Sequence, residues 1–514
     1  MNGAESLVRT LIASGVDTCF ANPGTSEMHF VSALDRIDGM RCVLGLFEGV
    51  VTGMADGYFR MTDGPACTLL HLGPGLGNGL ANLHNAKKAR SAIVNIVGEH
   101  ASHHQQYDAP LSADIEAIAA PMSHWVKTSR SSKDIAADGA LAVEAARAAP
   151  GQIATLILPA DTAWNEGGDP VVAHAPALRA VVDAAALHAT AQVLRQPGAA
   201  LMLGNIGVRE PALTWAGRIA AKTGCRLISE STSGRIERGA GRVVTERVPY
   251  SVDAAIRMLS GLKHVVLVGA KAPVAFFAYP DKPSLLAPPD CAFTTLATNA
   301  DDIAGALEAL ADLLDARATR PAHVARYAPA SAPTGQPTLD GIAQVIGATL
   351  PENAIVVDEA VSSGRGFGVF TANAHPHDWL CVTGGSIGFG LPAATGAAIG
   401  APGRKVLCLE GDGSAMYTMQ SLWTMAREGL AVTTLIFANH SYRILHGELN
   451  ALGAGKAGRR ANDMLTLDRP HLDWVAMARG HGVDAGRATS LEELAVELRR
   501  GFASNGPYVV ELLC

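Results

Sequence analysis

The sequence has few aromatic residues and no cluster of basic ones. Phe, Trp and Tyr together make up 5% of its 514 residues, and the formal net charge is −7. Lys and Arg are dispersed along the chain, whereas a nucleic-acid-binding protein gathers them on one face, commonly beside aromatic residues that stack on bases. The composition therefore excludes a nucleic-acid partner of the usual kind.

Cysteine is scarce and unpaired, and long apolar runs are absent. The eight cysteines are scattered, without a C-x-x-C pair, and most lie in strand-like segments. They indicate reduced core residues in a cytoplasmic protein. The start, MNGAESLVRTLIASG, has an early glutamate and an amphipathic pattern where a secretory signal needs a basic patch and an apolar stretch. No apolar run reaches the length of a membrane span, so we expect a soluble cytoplasmic protein without a membrane partner.

Glycine and small apolar residues are abundant instead, with 54 glycines, as close-packed α/β layers require. The length suggests about three domains. Strand-like and helical segments alternate in residues 1–165, 180–325 and 337–514, and a Pro- and Ala-rich link covers 319–338. The predicted fold class is α/β, with three doubly wound parallel sheets. The predicted strands are residues 16–20, 42–47, 67–71, 92–97, 153–158, 199–204, 226–231, 264–270, 292–297, 354–360, 405–410, 432–437 and 508–513.

One predicted strand is followed by a turn that can hold a metal. Gly-Asp-Gly, centred on Asp412, ends the strand 405–410, a helical segment covers 419–430, and the next strand ends just before Asn439. Carboxyl ends of neighbouring parallel strands meet at one sheet edge, so these side chains are predicted to lie together. Two side-chain oxygens and a free backbone carbonyl suit Mg²⁺, and the glycines let a diphosphate approach the backbone. An ordinary turn with a capping aspartate is the alternative.

With this segment the sequence resembles a known family. Residues 411–439, GDGSAMYTMQSLWTMAREGLAVTTLIFAN, are similar to the cofactor-binding signature of thiamine diphosphate enzymes, in the group of benzoylformate decarboxylase, pyruvate decarboxylase and acetolactate synthase. Two further segments resemble the family: LFEGVVTGMADGYFRMTDGPA around Glu48 and TGGSIGFGLPAATG at 383–396. The motifs are most similar to those of benzoylformate decarboxylase. The resemblance implies pyrimidine-binding, central and diphosphate-binding domains, in that order, with thiamine diphosphate and Mg²⁺ as cofactors.

The resemblance also implies which residues bind the cofactor. The metal ligands would be Asp412, Asn439 and Ser441. The remaining cofactor-binding residues would be Gly385, Ile387, Gly411, Gly413, Ser414 and Tyr442. Some family members bind FAD in the central domain; here no G-x-G-x-x-G fingerprint follows the first central strand, LMLGNIGVRE being the nearest match, so FAD is not predicted.

Glu48 is the predicted catalytic acid. In the family, a glutamate that opens such a helix bonds to N1′ of the aminopyrimidine and favours the imino form, which removes the proton from thiazolium C2. The apolar neighbours of Glu48 indicate burial, where the pKa of a carboxyl rises. A helix N-terminal glutamate stabilised by the macrodipole is the alternative. Ile387 would hold the cofactor bent and the Gly385 carbonyl would accept from its amino group; for Ile387, helix packing is the alternative.

The substrate pocket is assigned by the same resemblance. His71 matches a pocket histidine of benzoylformate decarboxylase that can relay protons. The alternative is a structural histidine at the end of a strand, with its hydrogen bonds made inside the protein. Thr25 takes the position of a hydroxyl residue that meets the substrate carboxylate. His103 and His104 are similar to the paired histidines of pyruvate decarboxylase. Leu445 and Glu448 follow on the helix that borders the pocket. In the pocket, Glu448 would disfavour a phenyl group and repel a second carboxylate of the substrate; the alternative is that it faces solvent. The second pocket histidine has no counterpart in residues 272–284.

The implied function is a Mg²⁺-dependent C–C lyase that decarboxylates a small-molecule 2-oxo acid through an enamine. An alternative is carboligation, a transferase reaction of the acetolactate synthase kind, which shares every step up to the enamine. A remote alternative is a non-catalytic nucleotide- or flavin-binding scaffold. The family also implies a homodimer or homotetramer, in which the first domain of one subunit meets the third domain of another.

Overall fold

A computed structural model describes residues 1–329 and 331–514. The first sheet is entirely parallel, in the order β2-β1-β3-β4-β6-β5. Its two central strands, β3 and β4, consist wholly of buried residues, as expected for strands covered by helices on both faces. The strands are β1 (Thr18–Asn22), β2 (Arg41–Leu44), β3 (Ala66–Leu70), β4 (Ile93–Glu99), β5 (Trp125–Thr128) and β6 (Ile153–Pro159). The helices are α1 (Gly3–Ala13), α2 (Met28–Arg36), α3 (Glu48–Thr62), α4 (Leu72–Ala89), α5 (Ile115–Ala119), α6 (Ile135–Arg147) and α7 (Ala160–Trp164).

The second sheet lies in the middle of the chain and is also parallel, in the order β10-β8-β7-β11-β12. Strand β9 of this segment pairs elsewhere, as described below. The strands are β7 (Ala199–Leu203), β8 (Arg226–Ser229), β9 (Ile236–Arg238), β10 (Glu246–Arg247), β11 (His264–Val268) and β12 (Ala292–Ala297). The helices are α8 (Ala184–Leu194), α9 (Ala212–Thr223), α10 (Val252–Leu259) and α11 (Ile303–Leu313).

The third sheet has the order β17-β18-β16-β15-β13-β14-β9 and is parallel except for β9, which pairs antiparallel to β14 at the edge. The chain runs from β13 outward to β14 and then returns to β15 on the other side. A crevice at such a switch point is where open parallel sheets bind ligands. The strands are β13 (Ala354–Glu359), β14 (His377–Cys381), β15 (Val406–Gly411), β16 (Val432–Ala438), β17 (Asp484–Ala488) and β18 (Tyr508–Leu513). The helices are α12 (Leu339–Thr349), α13 (Phe367–Phe370), α14 (Gly390–Gly400), α15 (Asp412–Ala415), α16 (Ser421–Arg427), α17 (Arg443–Ala451), α18 (Arg459–Leu465), α19 (Trp474–Gly480) and α20 (Leu491–Ala503).

The prediction of three parallel α/β sheets is confirmed. The strands that were missed are β5, β9, β10 and β17, which lie at sheet edges, and β14, a buried strand inside the third sheet. β17 (DAGRA) and β10 (two residues) carry no apolar run, so only their neighbours in the fold make them strands. The predicted helix 419–430 is shorter, at α16, and a separate short helix, α15, begins directly at Asp412. The described part of the link 319–338 contains no helix or strand apart from one bridge at Val324; Ala330 lies outside the described residues.

The first and third sheets share one hydrophobic core, built around α3 and α14. The two helices lie so close that a Cβ on Gly57 would collide with the Ala393 backbone, and one on Gly396 with the Met54 backbone. The glycines of ADGY and of GLPAATG are therefore required by close backbone packing. None of the helices in the described part of the chain has the length and apolar content needed to cross a bilayer.

Candidate active site

Asp412 and Asn439 lie at the carboxyl ends of two paired strands, as predicted. β15 and β16 are parallel, with Gly411 opposite Phe437, so both side chains follow at the same edge. Asp412 is buried; Oδ1 accepts from the Gly413 amide at 2.9 Å and Oδ2 from the His440 amide at 2.6 Å. Burial raises the pKa of this carboxyl although the two amides oppose the rise, and a divalent cation would favour the charged form.

The residues around Asp412 fit a magnesium site. Asn439 accepts from the Ser441 amide at 3.0 Å, and the Ser441 hydroxyl donates to the Leu465 carbonyl at 3.1 Å. No hydrogen bond to the Ser441 carbonyl occurs among residues 1–329 and 331–514. One carboxylate, one amide oxygen and one carbonyl form a hard oxygen set that leaves positions for phosphate and water, which is the coordination Mg²⁺ favours. Any side chain at Gly413 would meet the Tyr442 ring, so the glycine keeps this turn open to an anion.

The turn between β14 and α14 carries Gly385 and Ile387. Gly385 and Gly388 have φ of 73° and 89°, which glycine adopts without strain. Helix α4 holds the turn: the Asn85 amide donates to the Ser386 carbonyl at 2.8 Å, and the Asn82 amide to the Gly388 carbonyl at 3.1 Å. α14 begins only at Gly390, so Ile387 lies in the turn that precedes the helix.

Two buried carboxyls behind this turn were missed by the sequence reasoning. Glu359 ends β13 and accepts from the Gly390 amide at 2.7 Å; Glu410, near the end of β15, accepts from the Leu391 amide at 2.9 Å and the Ser414 hydroxyl at 3.0 Å. Burial raises the pKa of Glu359 to about 7 and that of Glu410 well above its ordinary value. The pair joins the first turn of α14 to the Gly-Asp-Gly turn. The sequence feature that could have identified Glu359 and Glu410 is an acidic residue at the end of an otherwise apolar strand.

Glu48 is the first residue of α3 and is 8% exposed, so the predicted burial is confirmed. Its Oε2 accepts from the Asn78 side chain of α4 at 3.0 Å. Within the described parts of a single chain it makes no hydrogen bond to Asp412 or Asn439.

His71 is held by a glutamate that the sequence reasoning did not identify. Glu27 is fully buried, and its Oε2 lies 2.8 Å from His71 Nδ1. The same carboxylate accepts from the Gly24 amide at 2.7 Å and from the Ser26 hydroxyl. A carboxylate on Nδ1 places the proton there and leaves Nε2 as the free nitrogen. The available signal was the glutamate of ANPGTSE, two positions after Thr25.

Arg60, just after the ADGY element, links three parts of the fold. Its guanidinium donates to both oxygens of Asp56, at 2.8 and 2.7 Å, and to the Cys381 and Gly234 carbonyls at 2.7 and 3.2 Å. It also lies 4.5 Å from the centre of the Phe389 ring. Arg60 thus holds both ends of the 382–389 turn.

Replacing Arg60 with Ala should lower the free energy of unfolding by about 3–5 kcal/mol, because Asp56 would be left as an unpaired buried charge. Arg60→Lys should recover part of this loss. Arg209, which makes a bidentate pair with the half-exposed Asp63, is the matched control, and its alanine variant should lose about 1 kcal/mol or less. Denaturant unfolding measures all three, and equal losses for Arg60→Ala and Arg209→Ala would contradict the assignment.

The remaining predicted pocket residues are more exposed. Thr25 is exposed and begins the short helical turn Thr25–Glu27, His103 and His104 lie on an exposed loop of the first unit, and Leu445 of α17 is 43% exposed. Glu448 does not simply face solvent: its two oxygens accept from the hydroxyls of Tyr250 at 3.1 Å and Tyr279 at 2.9 Å. Within the segment that lacks the second pocket histidine, Phe276 packs directly on Gly385. Thr25 lies close to His71, because Ser26 Oγ is 3.5 Å from His71 Nδ1 and a Cβ on Gly24 would collide with the His71 ring. In the described residues no hydrogen bond links His71 to His103, His104, Leu445 or Glu448.

Comparison with known proteins matches both ends of the chain to one family. Residues 1–120 match the description "Thiamine pyrophosphate enzyme, N-terminal TPP binding domain", and residues 365–512 match "Thiamine pyrophosphate enzyme, C-terminal TPP binding domain". The "Putative acetolactate synthase large subunit IlvX" of Mycobacterium tuberculosis is 51% identical over 100% of this chain and 99% of its own length. Benzoylformate decarboxylase of Pseudomonas aeruginosa is 29% identical over 97% of this chain and 96% of its own.

Solved structures agree on the fold. The thiamine diphosphate-dependent 4-hydroxybenzoylformate decarboxylase of Rhodococcus jostii superposes with a TM-score of 0.88 at 24% identity, covering 100% of this chain and 99% of that one. Together with the identity along the whole chain, this places the protein among the thiamine pyrophosphate-dependent enzymes, in the family that contains the 2-oxo acid decarboxylases and the acetolactate synthases.

Proposed function

We propose that this enzyme decarboxylates a 2-oxo acid with thiamine diphosphate, which it binds through Mg²⁺. The observation that carries the proposal is the oxygen set at the ends of β15 and β16, inside the C-terminal TPP binding domain. Asp412, Asn439 and the Ser441 carbonyl would hold the metal. The open turn at Gly413, with Ser414 beside it and Tyr442 over it, would receive the diphosphate. When bound, thiamine diphosphate supplies a ring carbon that adds to a carbonyl and accepts the electron pair left by departing CO₂.

The other residues would prepare the opposite end of the cofactor. The Gly385 carbonyl accepts no hydrogen bond in the described residues, so it is available to accept from the aminopyrimidine. Ile387, between two left-handed glycines and ahead of α14, would support the bent cofactor. Glu48 would share a proton with the pyrimidine ring, an exchange that a buried carboxyl performs better than an exposed one.

Proton transfer to the reacting carbon would fall to His71. Glu27 fixes the ring and its tautomer through Nδ1, so that Nε2 is the nitrogen left to accept or donate a proton. Thr25 begins the short helical turn that contains Glu27 and would meet the substrate carboxylate. This arrangement uses one histidine where the benzoylformate decarboxylase pattern has two.

Glu27→Gln should lower kcat roughly 10–100-fold, because the amide no longer fixes the His71 proton on Nδ1. Glu144 supplies the matched control, since it holds Nδ1 of the surface residue His174 at 2.6 Å. Glu144→Gln should keep full turnover. Steady-state CO₂ release measures both variants, and an unchanged rate in Glu27→Gln would remove Glu27 from the mechanism.

Carboligation is the second candidate, and the 51% identity to a protein named as an acetolactate synthase large subunit favours it. Both reactions use the same residues up to loss of CO₂, so only the products separate them. The purified enzyme should be supplied with pyruvate or benzoylformate alone and then with an added aldehyde. An aldehyde product supports decarboxylation, and an acyloin or acetohydroxy acid supports carboligation.

We further propose that each active site is shared between two subunits, with Glu48 from one and Asp412 from the other. The support is the resemblance to thiamine diphosphate enzymes, in which the first domain of one subunit meets the third domain of another. A homodimer would then be the smallest active form, and a homotetramer is compatible with the same sites. A non-catalytic scaffold is set aside, since Glu48, Asp412 and Asn439 are all present.

A further inference from the structure

A cavity of about 400 Å³ lies between α17 and the central part of the chain. One wall is a face of α17 that includes Arg443 and Glu448. A second wall is the loop after β13, with Ser362 and Arg365, and the third contains Tyr279 and Lys282. None of these residues was given a role in cofactor binding above, and Glu448 alone was assigned to the predicted substrate pocket. The cavity is large enough for a small organic anion.

The lining is rich in unpaired positive charge. Neither Arg365 nor Arg443 forms an ion pair or donates a hydrogen bond within residues 1–329 and 331–514. Lys282 adds a third cation, which is paired with Asp253 at 2.7 Å. Arginine presents several donors in one plane, a geometry that matches carboxylate and phosphate oxygens.

The single carboxylate of the lining is already engaged. Both oxygens of Glu448 accept hydrogen bonds from tyrosine hydroxyls, which places Tyr250 and Tyr279 at the cavity wall. Ser251 and Val252, at the start of α10, complete that side, and the first amides of a helix favour negative charge. The cations therefore determine which sign of charge the cavity accepts, in spite of Glu448.

The cavity adjoins the proposed cofactor site. Arg443 directly follows Tyr442, whose ring covers Gly413 of the metal turn. Ile444, next on α17, also lines the cavity. The cavity therefore begins at the first turn of α17, directly after the loop that carries Asn439 and Ser441.

We propose that this cavity binds an anionic group, a carboxylate or phosphate, through Arg365 and Arg443. The group is either the distal acid of the substrate or a free anion. Binding of the distal acid of the substrate rests on the proposed function, whereas binding of a free anion does not. In the first form the substrate would be a 2-oxo acid that carries a second acidic group.

The test uses cofactor-loaded enzyme, the double variant Arg365→Gln/Arg443→Gln and the control Arg499→Gln. Arg499 is an exposed arginine of α20 that does not line the cavity, so the control matches the chemistry of the change. One arm compares kcat/KM for 2-oxoglutarate and for 2-oxohexanoate, which lacks the distal charge. The other arm titrates inorganic phosphate, and separately glutarate, by calorimetry; glutarate has no 2-oxo group to react.

The double variant should lower the 2-oxoglutarate to 2-oxohexanoate ratio about tenfold or more if the distal acid of the substrate binds here. It should weaken phosphate or glutarate binding by a similar factor, with the ratio unmoved, if the ligand is a free anion. The proposal is overturned if the double variant matches Arg499→Gln in both arms. Should no 2-oxo acid be turned over at all, the proposed function fails, and calorimetry alone still decides the cavity.

Discussion

Glu48→Gln is expected to lower kcat by roughly 10²–10⁴-fold while Mg²⁺-dependent binding of thiamine diphosphate persists. The amide has the shape of the carboxyl and can still accept from Asn78, but it cannot share a proton with a ring nitrogen. Turnover is measured as CO₂ release, and cofactor affinity is measured by fluorescence or calorimetric titration. We expect the rate of CO₂ release to fall while the affinity for thiamine diphosphate stays that of the wild-type enzyme.

The control for this variant addresses the alternative role of Glu48, that of a helix N-terminal glutamate. Glu493 lies in the first turn of α20 and serves only its helix start, where it accepts from Thr489. A helix-start carboxylate contributes about 0.3–1 kcal/mol to stability. If Glu48→Gln behaves as Glu493→Gln, with a small loss of stability and full turnover, the catalytic role is wrong.

Asp412→Asn is expected to weaken Mg²⁺-dependent cofactor binding roughly 100-fold, because the metal site loses its only carboxylate and affinity follows ligand charge. The amide keeps one acceptor for the Gly413 and His440 amides, so the turn should survive. Titration of cofactor at fixed Mg²⁺, and of Mg²⁺ at fixed cofactor, measures the effect. Chelation of the metal should abolish binding to the wild-type enzyme in the same assay.

Asp473 tests the alternative for Asp412, a capping aspartate. It begins α19 and accepts from the Ala476 amide at 3.1 Å. Asn caps helices about as well as Asp, and the ion pair of Asp473 with Arg487 is exposed, so Asp473→Asn should cost about 1 kcal/mol of stability or less and leave cofactor affinity unchanged. Unchanged cofactor affinity in Asp412→Asn as well would reduce the Gly-Asp-Gly segment to an ordinary turn.

The parts of this molecule that could be predicted from sequence are those determined by local pattern. β15 and β16 are continuous apolar runs, so the pattern alone locates their ends and, with them, Asp412 and Asn439. β9 could not be predicted, because three residues of the central segment become a strand only by pairing with β14 across the fold. Edge strands depend on such neighbours more than on their own sequence.

The residues that support the site could not be predicted either, because they too depend on contacts between distant segments. Glu27 and His71 are 44 positions apart, and Arg60 reaches a carbonyl 321 positions away, so no spacing could connect them. The family resemblance identified groups expected to touch the cofactor, but not the buried residues that hold them. Those residues became visible only when the packing of α3, α4 and α14 brought distant segments together.

The central claim is that one cofactor is held by Glu48 of one subunit and Asp412 of another, and mixing two inactive variants tests it most directly. Glu48→Gln and Asp412→Asn chains are combined, dissociated and allowed to reassociate, and CO₂ release is compared with each variant alone. Shared sites predict that hybrid dimers contain one fully intact site, which restores about a quarter of wild-type activity for random pairing. Hybrids that form, as shown by mass spectrometry, yet stay inactive would place both residues in one subunit's site and contradict the claim.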